Sequence, residues 1–132
     1  MTGIDANILV RYVMQDDAVQ SPKAAEVMER RLTEDDPGFI SIVAMAETVC
    51  VLARTYGLSN VELAAAVERM LESDALVVEN AQEVWIAMTA VREGRASFAD
   101  ALIAELGASA GCSRTLTFDR KAARLPRFEL VS

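Results

Sequence analysis

The chain of 132 residues contains no histidine, and this absence removes several kinds of chemistry at once. Serine–histidine and cysteine–histidine pairs cannot form, nor can histidine-based zinc sites. Cysteine is also scarce, since only Cys50 and Cys112 are present and they show neither metal-ligand spacing nor a disulfide framework. We expect both to be reduced packing residues, and any chemistry must use carboxylates, hydroxyls or a bound ion.

Long apolar runs are missing as well. Stretches such as Ile42–Ala46 fall far short of the roughly 20 residues that span a bilayer, so no membrane span is predicted. Asp5 stands where a signal peptide would need an apolar stretch, so we expect a cytoplasmic protein. Repeats, low-complexity tracts and linker-like segments are also lacking, and residues 1–132 are therefore predicted to form a single domain.

The composition that remains is typical of a folded domain, with 52% hydrophobic and 25% charged residues. A net charge of −7 argues against a simple cationic surface for nucleic acid, because phosphate binding normally uses lysine and arginine. The charge is unevenly distributed, however. After Gly111 only two acids, Asp119 and Glu129, accompany the basic residues Arg114, Arg120, Lys121, Arg124 and Arg127. One end of the chain is therefore locally basic.

Hydrophobic periodicity predicts helices that alternate with short strands. The helices are predicted at Ile8–Val13, Ser21–Leu32, Val43–Tyr56, Asn60–Glu72, Ala81–Arg92 and Phe98–Ala110, with a single turn at Arg120–Arg124. The first strand is predicted to end near Asp5, and the others to lie at Phe39–Ile42, Ala75–Val78, Leu116–Phe118 and Phe128–Val131. Strands that lead into helices favour a three-layer α/β/α fold with a central, mainly parallel sheet of about five short strands. Ligands gather at the carboxyl ends of such strands.

Four acids stand where a predicted strand ends or a helix begins, namely Asp5, Glu47, Asp100 and Asp119. Each of them alone has an ordinary structural explanation. Asp5 and Asp119 can cap the helical turns that follow them, and the segment from Ser97 to Asp100 has the form of a capping box. Glu47 can contact a helix dipole or fill a solvated gap in a buried face.

The joint pattern is not explained by capping, because four carboxylates that project toward one edge would repel each other. A hard divalent cation such as Mg²⁺ or Mn²⁺ removes that conflict, since it prefers oxygen ligands and accepts several carboxylates. The four acids are therefore candidate metal ligands.

The segments around these acids resemble those of PIN domains. Ile4–Tyr12 is similar to the opening of such a domain, where an aspartate ends the first strand and an asparagine follows two residues later, as Asp5 and Asn7 do here. The segments that resemble those around the family's second, third and fourth acids are Ser41–Glu47, Phe98–Ile103 and Thr117–Ala123. The resemblance extends from Gly3 to Leu130. Many relatives carry a further acid where this chain has Ser97, which leaves an auxiliary acid role open.

The resemblance implies a ribonuclease similar to the VapC toxins of toxin–antitoxin systems. We interpret its chemistry as metal-ion catalysis, with Asp5, Asp100 and Asp119 as candidate ligands of Mg²⁺ or Mn²⁺ and Glu47 contacting the ion through water. A bound ion lowers the pKa of its water and offsets charge on the phosphate during in-line attack. Whether one or two ions bind is left open.

Other polar residues have weaker signals. Asn7 and Thr117 are candidates for orienting a water or a phosphate oxygen, because each is close in sequence to a proposed ligand. An Asx turn and a strand hydroxyl are the alternative interpretations. The candidates for holding the RNA backbone are Arg11, Arg120, Lys121 and Arg124. Solvated surface charge is the alternative for each of these.

Toxins of this family work beside an antitoxin whose extended segment lies across the toxin and places a basic residue in the acid pocket. The resemblance therefore implies a VapB-like antitoxin as a partner, RNA as the substrate and a homodimer. A receiving groove for the antitoxin is predicted from Met14, Met28 and the apolar faces of Ala24–Leu32 and Val61–Met70, with core packing as the alternative.

Two other classes of protein share parts of this pattern. A receiver-like signalling domain would also use an acid pocket for Mg²⁺, but it would need paired acids where Asp5 stands alone. A catalytically silent PIN domain that only binds RNA or protein would keep the same four acids. RNA binding without turnover would distinguish this second alternative from a nuclease.

Overall fold

Five short strands and six α-helices alternate along residues 1–132, all of which the computed structural model describes. The strands are β1 (Thr2–Gly3), β2 (Gly38–Ile40), β3 (Leu76–Val78), β4 (Thr115–Thr117) and β5 (Phe128–Leu130). The helices are α1 (Ala6–Met14), α2 (Gln20–Glu26), α3 (Ile42–Arg54), α4 (Asn60–Glu72), α5 (Ala81–Arg92) and α6 (Phe98–Ser109), with a 3₁₀ turn at Ala122–Arg124. None of these helices is both long and apolar enough to cross a membrane.

All strand pairs are parallel, which confirms the expected α/β class, but they form two sheets. One sheet has the order β1-β2-β3, and β4 pairs only with β5. The expectation of one central sheet is thus wrong in this respect. The reason lies in the shortness of β1, whose neighbouring N–H groups at Thr2 and Ile4 donate to the carbonyls of Pro37 and Phe39. Because backbone groups alternate in direction along a strand, Gly3 alone remains to pair on the opposite edge.

The helices bury their apolar stripes in a core of 22 residues. In α4 the buried positions include Leu63, Ala64, Val67 and Met70, which recur at the spacing of one helix face. Ile40 of the central strand β2 belongs to the same core and is fully buried. Asp5 and Asp119 lie just after strands, whereas Asp100 begins α6, which follows α5, and Glu47 lies in the second turn of α3.

The predicted helix Ser21–Leu32 is interrupted. Helix α2 begins one residue earlier, at Gln20, and gives way at Val27–Arg31 to a π-helical turn. Ser21 does not cap it, because its side chain is buried and donates a hydrogen bond of 2.9 Å to the carbonyl of Arg11. Ser21 therefore lies inside α2, and its hydroxyl links α2 to α1.

Both cysteines are free, as predicted, but neither is a packing residue. Cys50 on α3 and Cys112 after α6 are exposed to solvent. Cys50 shares the outer face of α3 with Val43, which is 72% exposed, so apolar residue types here do not mark a buried face.

Candidate active site

Asp5 leaves the sheet at the carboxyl end of β1 and begins helix α1. The N–H of Ile4 just before it still donates to the carbonyl of Phe39, at 2.9 Å. The Oδ1 of Asp5 accepts a hydrogen bond of 2.7 Å from the N–H of Ala6. The capping role is therefore real, but it uses one carboxylate oxygen, and the exposed side chain keeps Oδ2 without a protein partner.

Asp119 occupies the corresponding place after β4. Its Oδ1 accepts hydrogen bonds from the N–H groups of Lys121 at 2.8 Å and Ala122 at 3.5 Å, which caps the following 3₁₀ turn. The hydroxyl of Thr117 accepts from the N–H of Asp119 at 3.0 Å. Thr117 thus orients the backbone of Asp119, while Oδ2 of the aspartate is unbonded.

Asp100 and Glu47 have carboxylates that the protein does not use at all. The hydroxyl of Ser97 caps α6 by accepting from the N–H of Asp100 at 3.2 Å, but the carboxylate does not bond back. Glu47 lies on the exposed face of α3, so it does not fill a solvated gap in a buried face. Neither acid takes part in an ion pair.

The four elements that carry these acids form a continuous series of contacts. Helix α1 packs against α3, α3 against α6, and α6 against β4. Even so, no three carboxylate or thiol side chains are arranged so that together they could hold a metal ion. The donor chemistry fits a hard divalent cation, because every donor is a carboxylate oxygen. The spacing does not enclose one, so binding by this set requires the side chains to converge.

Glu79 is a further acid at the same edge of the sheet, and the sequence interpretation missed it. It directly follows β3, and its N–H donates to the carbonyl of Ile40. Its Oε1 accepts a hydrogen bond of 2.7 Å from the N–H of Ile42, the first residue of α3. Ser41 caps the same helix at Ala44. Glu79 therefore positions the start of α3, the helix that bears Glu47. Like Asp5, Glu79 is an acid just after a strand, so the same sequence signal could have identified it.

The remaining candidates differ in how far the protein already engages them. Arg11 is held by Gln20 at 2.8 Å, Tyr56 at 3.2 Å and Asp16 at 3.3 Å. A hydrogen bond to Asp16 raises the pKa of Tyr56 in this cluster. Asn7 is exposed and makes no side-chain hydrogen bond.

The basic cluster that follows Asp119 is free of such contacts. Arg120, Lys121 and Arg124 are exposed, and none of them forms an ion pair. Their charges are therefore available to an anionic ligand close to Asp119.

Comparison with protein families gives a match to the PIN domain over residues 4–128. No curated protein matches the chain. The matched range includes all four acids and extends to the first residue of β5. PIN domains are generally metal-dependent nucleases.

Proposed function

The chain belongs to the PIN domain family, and from this premise we propose that it is a metal-dependent endoribonuclease and the toxin of a VapBC-type toxin–antitoxin pair. The observation that carries the proposal is the set of unengaged carboxylate oxygens on four elements that contact one another in series, α1 with α3, α3 with α6 and α6 with β4. Glu47 and Asp100 have no partner, while Asp5 and Asp119 each keep one oxygen free. Other surface acids such as Asp74 are also unbonded, but these four lie on elements that contact one another in series.

In this proposal Asp5, Asp100 and Asp119 would hold Mg²⁺ or Mn²⁺ directly. Glu47 would contact the ion through a water molecule. When bound, the ion supplies Lewis-acid chemistry and a water of lowered pKa for hydrolysis of a phosphodiester. The helix caps at Asp5 and Asp119 orient these carboxylates before any ligand arrives, and Glu79 does the same for α3. Ion binding offsets the repulsion that opposes convergence of the four side chains.

The substrate proposed for this site is RNA, held through its phosphates. Arg120, Lys121 and Arg124 directly follow Asp119 and have no acidic partner, so they provide local attraction in a chain of net charge −7. Because such contacts release counterions from the nucleic acid, binding should weaken as salt concentration rises. Arg11 has a smaller place in this proposal, since its guanidinium is already bonded within the protein.

The decisive experiment is cleavage of a mixed RNA pool by the purified, antitoxin-free protein with Mg²⁺ or Mn²⁺. We expect cleavage that EDTA abolishes and that Asp5→Asn abolishes without changing the circular dichroism spectrum. Asp74→Asn is the matched control, because Asp74 is also exposed but lies in the turn before β3. Cleavage by Asp5→Asn at the wild-type rate would overturn the site assignment.

The absence of a preassembled three-acid group favours one second candidate, a silent PIN domain that binds RNA without cleaving it. Metal titration separates the two functions. A nuclease should bind Mn²⁺, and Asp100→Asn should lower the number of ions bound per chain. A silent domain should bind RNA as tightly in EDTA as in Mg²⁺ and should not cleave it under either condition.

The docking place proposed for the antitoxin is a cleft of about 440 Å³ lined by α1, α4 and the segment 25–29. Met28, Ala66 and Met70 line this cleft, whereas Met14, which the sequence interpretation also placed in the receiving groove, does not line it. Tyr12 and Glu29 form a hydrogen bond of 3.0 Å at the cleft. Burial, followed by this bond, raises the pKa of Tyr12.

Glu29 and Arg69 bring one charge of each sign to a cleft with a largely apolar lining. The antitoxin segment proposed for it therefore presents apolar residues to the floor and a basic residue to Glu29. Isotope-edited NMR of the protein with its antitoxin should show perturbations at Met28 and Met70. Perturbations confined to the second half of the chain would contradict this placement. The proposed homodimer is tested separately by sedimentation.

A further inference from the structure

The small sheet formed by β4 and β5 is covered on one face only. Side chains alternate between the two faces of a strand. Thr115 faces helix α6, because its hydroxyl oxygen lies 2.9 Å from the place where a Cβ on Gly107 would stand. Leu116, the next residue, faces the other way and is 60% exposed. Parallel sheets are normally covered on both faces, so an apolar side chain in solvent here marks a face that lacks its partner.

Phe118 is the most exposed aromatic residue of the protein, at 83%. It directly follows β4 and continues the alternation that leaves Leu116 in solvent. The register pairs Thr117 with Leu130, so the residues that follow them, Phe118 and Val131, occupy the next position across the two strands. Val131 is also exposed. We call Leu116, Phe118 and Val131 the outer apolar face.

Phe118 is also the residue directly before Asp119, a candidate metal ligand. The chain bends at Phe118, and the hydroxyl of Thr117 accepts from the N–H of Asp119 at 3.0 Å. The ring and the carboxylate therefore start from adjacent Cα atoms, about 3.8 Å apart, on an anchored turn. Arg120 and Lys121 come next and are exposed without an ion pair. An aromatic ring, an acid and two free cations thus follow one another along the chain.

These neighbours indicate what covers the outer apolar face. Proteins bind single-stranded nucleic acid by placing cations at the phosphates and stacking the bases on aromatic rings. A second copy of the chain fits less well, because each copy has a net charge of −7 and the two would repel each other. Three side chains are also far too few to supply the roughly 800 Å² that each subunit buries in a stable dimer. The face is therefore suited to RNA bases rather than to another subunit.

We propose that Phe118 stacks on a base of the RNA substrate, at the nucleotide next to the phosphate held at Asp119, an inference that rests on the proposed function. Leu116 and Val131 extend the apolar surface beside the ring. In a duplex the faces of each base are covered by the bases above and below, so only an unpaired nucleotide can stack on Phe118. Because every base has a π-face, the ring selects unpaired RNA over duplex rather than one base over another.

The test is NMR titration of the full chain in EDTA, at low salt concentration, with a short single-stranded RNA. We expect the ring protons of Phe118 to move upfield, because a stacked base shields them. Phe118→Ala should weaken binding about tenfold. Phe118→Trp keeps a ring and should bind like the wild type, whereas Phe118→Leu keeps an apolar side chain without a ring and should bind as weakly as Phe118→Ala. Urea unfolding should be unchanged in all three variants, because the ring is not packed in the core.

Trp85→Leu is the matched control, because Trp85 is the other exposed aromatic residue, at 44%, and lies on α5, which carries none of the four acids. It should leave RNA binding unchanged. Wild-type affinity in Phe118→Leu would overturn stacking, and equal upfield shifts with a duplex of the same sequence would overturn the choice of unpaired RNA. Dissociation of a dimer by Phe118→Ala in sedimentation, with unchanged RNA binding, would show that a second copy covers the face instead.

Failure of this inference and failure of the proposed nuclease are distinguishable, because the titration contains no metal and measures no turnover. Metal-dependent cleavage of single-stranded RNA with the same KM and kcat in the wild type and Phe118→Ala would leave the nuclease and remove the stacking. Upfield shifts of the Phe118 ring without cleavage of any RNA would leave the stacking and remove the nuclease.

Discussion

Helices α4 and α6 begin with the same sequence pattern, a serine followed three residues later by an acid. At α4 the N–H of Glu62 donates to the hydroxyl of Ser59 at 3.2 Å, and the carboxylate of Glu62 accepts from the N–H of Ser59 at 2.9 Å. At α6 only the first of these bonds forms, between Asp100 and Ser97. We call the box at α4 closed, because both hydrogen bonds form, and the box at α6 open, because the bond that returns from the carboxylate is missing.

The difference follows from the length of one side chain. A capping box uses glutamate or glutamine because the carboxyl group must reach back over a full turn, and aspartate is one methylene shorter. The carboxylate of Asp100 therefore stays in solvent near the positive end of the helix dipole, which favours it without occupying it. At α6 the hydrogen bond from Asp100 to Ser97 fixes the backbone, while the carboxylate of Asp100 has no protein partner. A carboxylate in this state is free to bind a ligand such as a metal ion.

The largest difference in RNA cleavage should appear when the carboxylate charge is removed from Asp100 and, for comparison, from Glu62. Asp100→Asn should lower metal-dependent cleavage on the order of 100-fold or more, since even groups behind the ligands of metal sites contribute 10–100-fold. Its stability should fall by no more than about 1 kcal/mol, because the lost carboxylate makes no hydrogen bond and gives up only its interaction with the helix dipole. Glu62→Gln should cleave normally. Initial rates and denaturant unfolding measure both properties, and an equal loss of activity in the two variants would contradict the distinction.

Exchanging the lengths of the two acids should exchange their roles. Asp100→Glu is long enough to accept from the N–H of Ser97, so we expect about 1 kcal/mol of added stability together with reduced cleavage. Glu62→Asp should open the box at α4 and lower stability with no effect on cleavage. Chemical denaturation and RNA cleavage test the pair. If Asp100→Glu gained activity, the free carboxylate would not be the functional state.

The serines should differ less, and only in stability. Ser59→Ala removes the acceptor for Glu62 in a closed box and should cost about 1–2 kcal/mol, whereas Ser97→Ala should cost about 0.5–1 kcal/mol. Urea unfolding of both variants under the same conditions gives the comparison. A larger loss for Ser97→Ala would mean that the box at α6 closes in solution.

Much of the fold is predictable because helix signals are local. The predicted bounds of α4 and α5 agree with the structure at both ends, since an apolar stripe and a serine or turn signal define each of them. The division of the five strands into two sheets is not predictable from such local signals. It depends on which edge of the two-residue β1 finds a partner, and that pairing involves residues distant in sequence.

The positions of the four acids in the fold were partly predictable from the sequence, whereas the bonding of their carboxylates was not. Asp5 and Asp119 follow their strands as predicted, while Glu79 has the same signal and was overlooked. Spacing along the chain alone does not tell whether a carboxylate is bonded, since Ser59 and Ser97 are both followed three residues later by an acid. The residue type does carry that information, because Glu62 is one methylene longer than Asp100.

The smallest expected effect is the pH dependence of the closed box. Hydrogen bonds from the backbone and the hydroxyl of Ser59 lower the pKa of Glu62. Because the folded pKa lies below the unfolded value, the stabilisation is present above the ordinary glutamate pKa and is lost as pH falls through the folded pKa. The stability difference between wild type and Glu62→Gln should therefore be constant near neutral pH and shrink below about pH 4.5.

This effect is small because solvent screens an exposed carboxylate, so it is best measured directly. Titration of the Glu62 carboxyl carbon by NMR should give a pKa below its ordinary value in the wild type. In Ser59→Ala the pKa should rise only in part, because the backbone N–H of residue 59, the larger cause of the shift, is still present. An unchanged pKa would show that the hydroxyl contributes nothing, and a return to the ordinary value would show that the box opens completely without it.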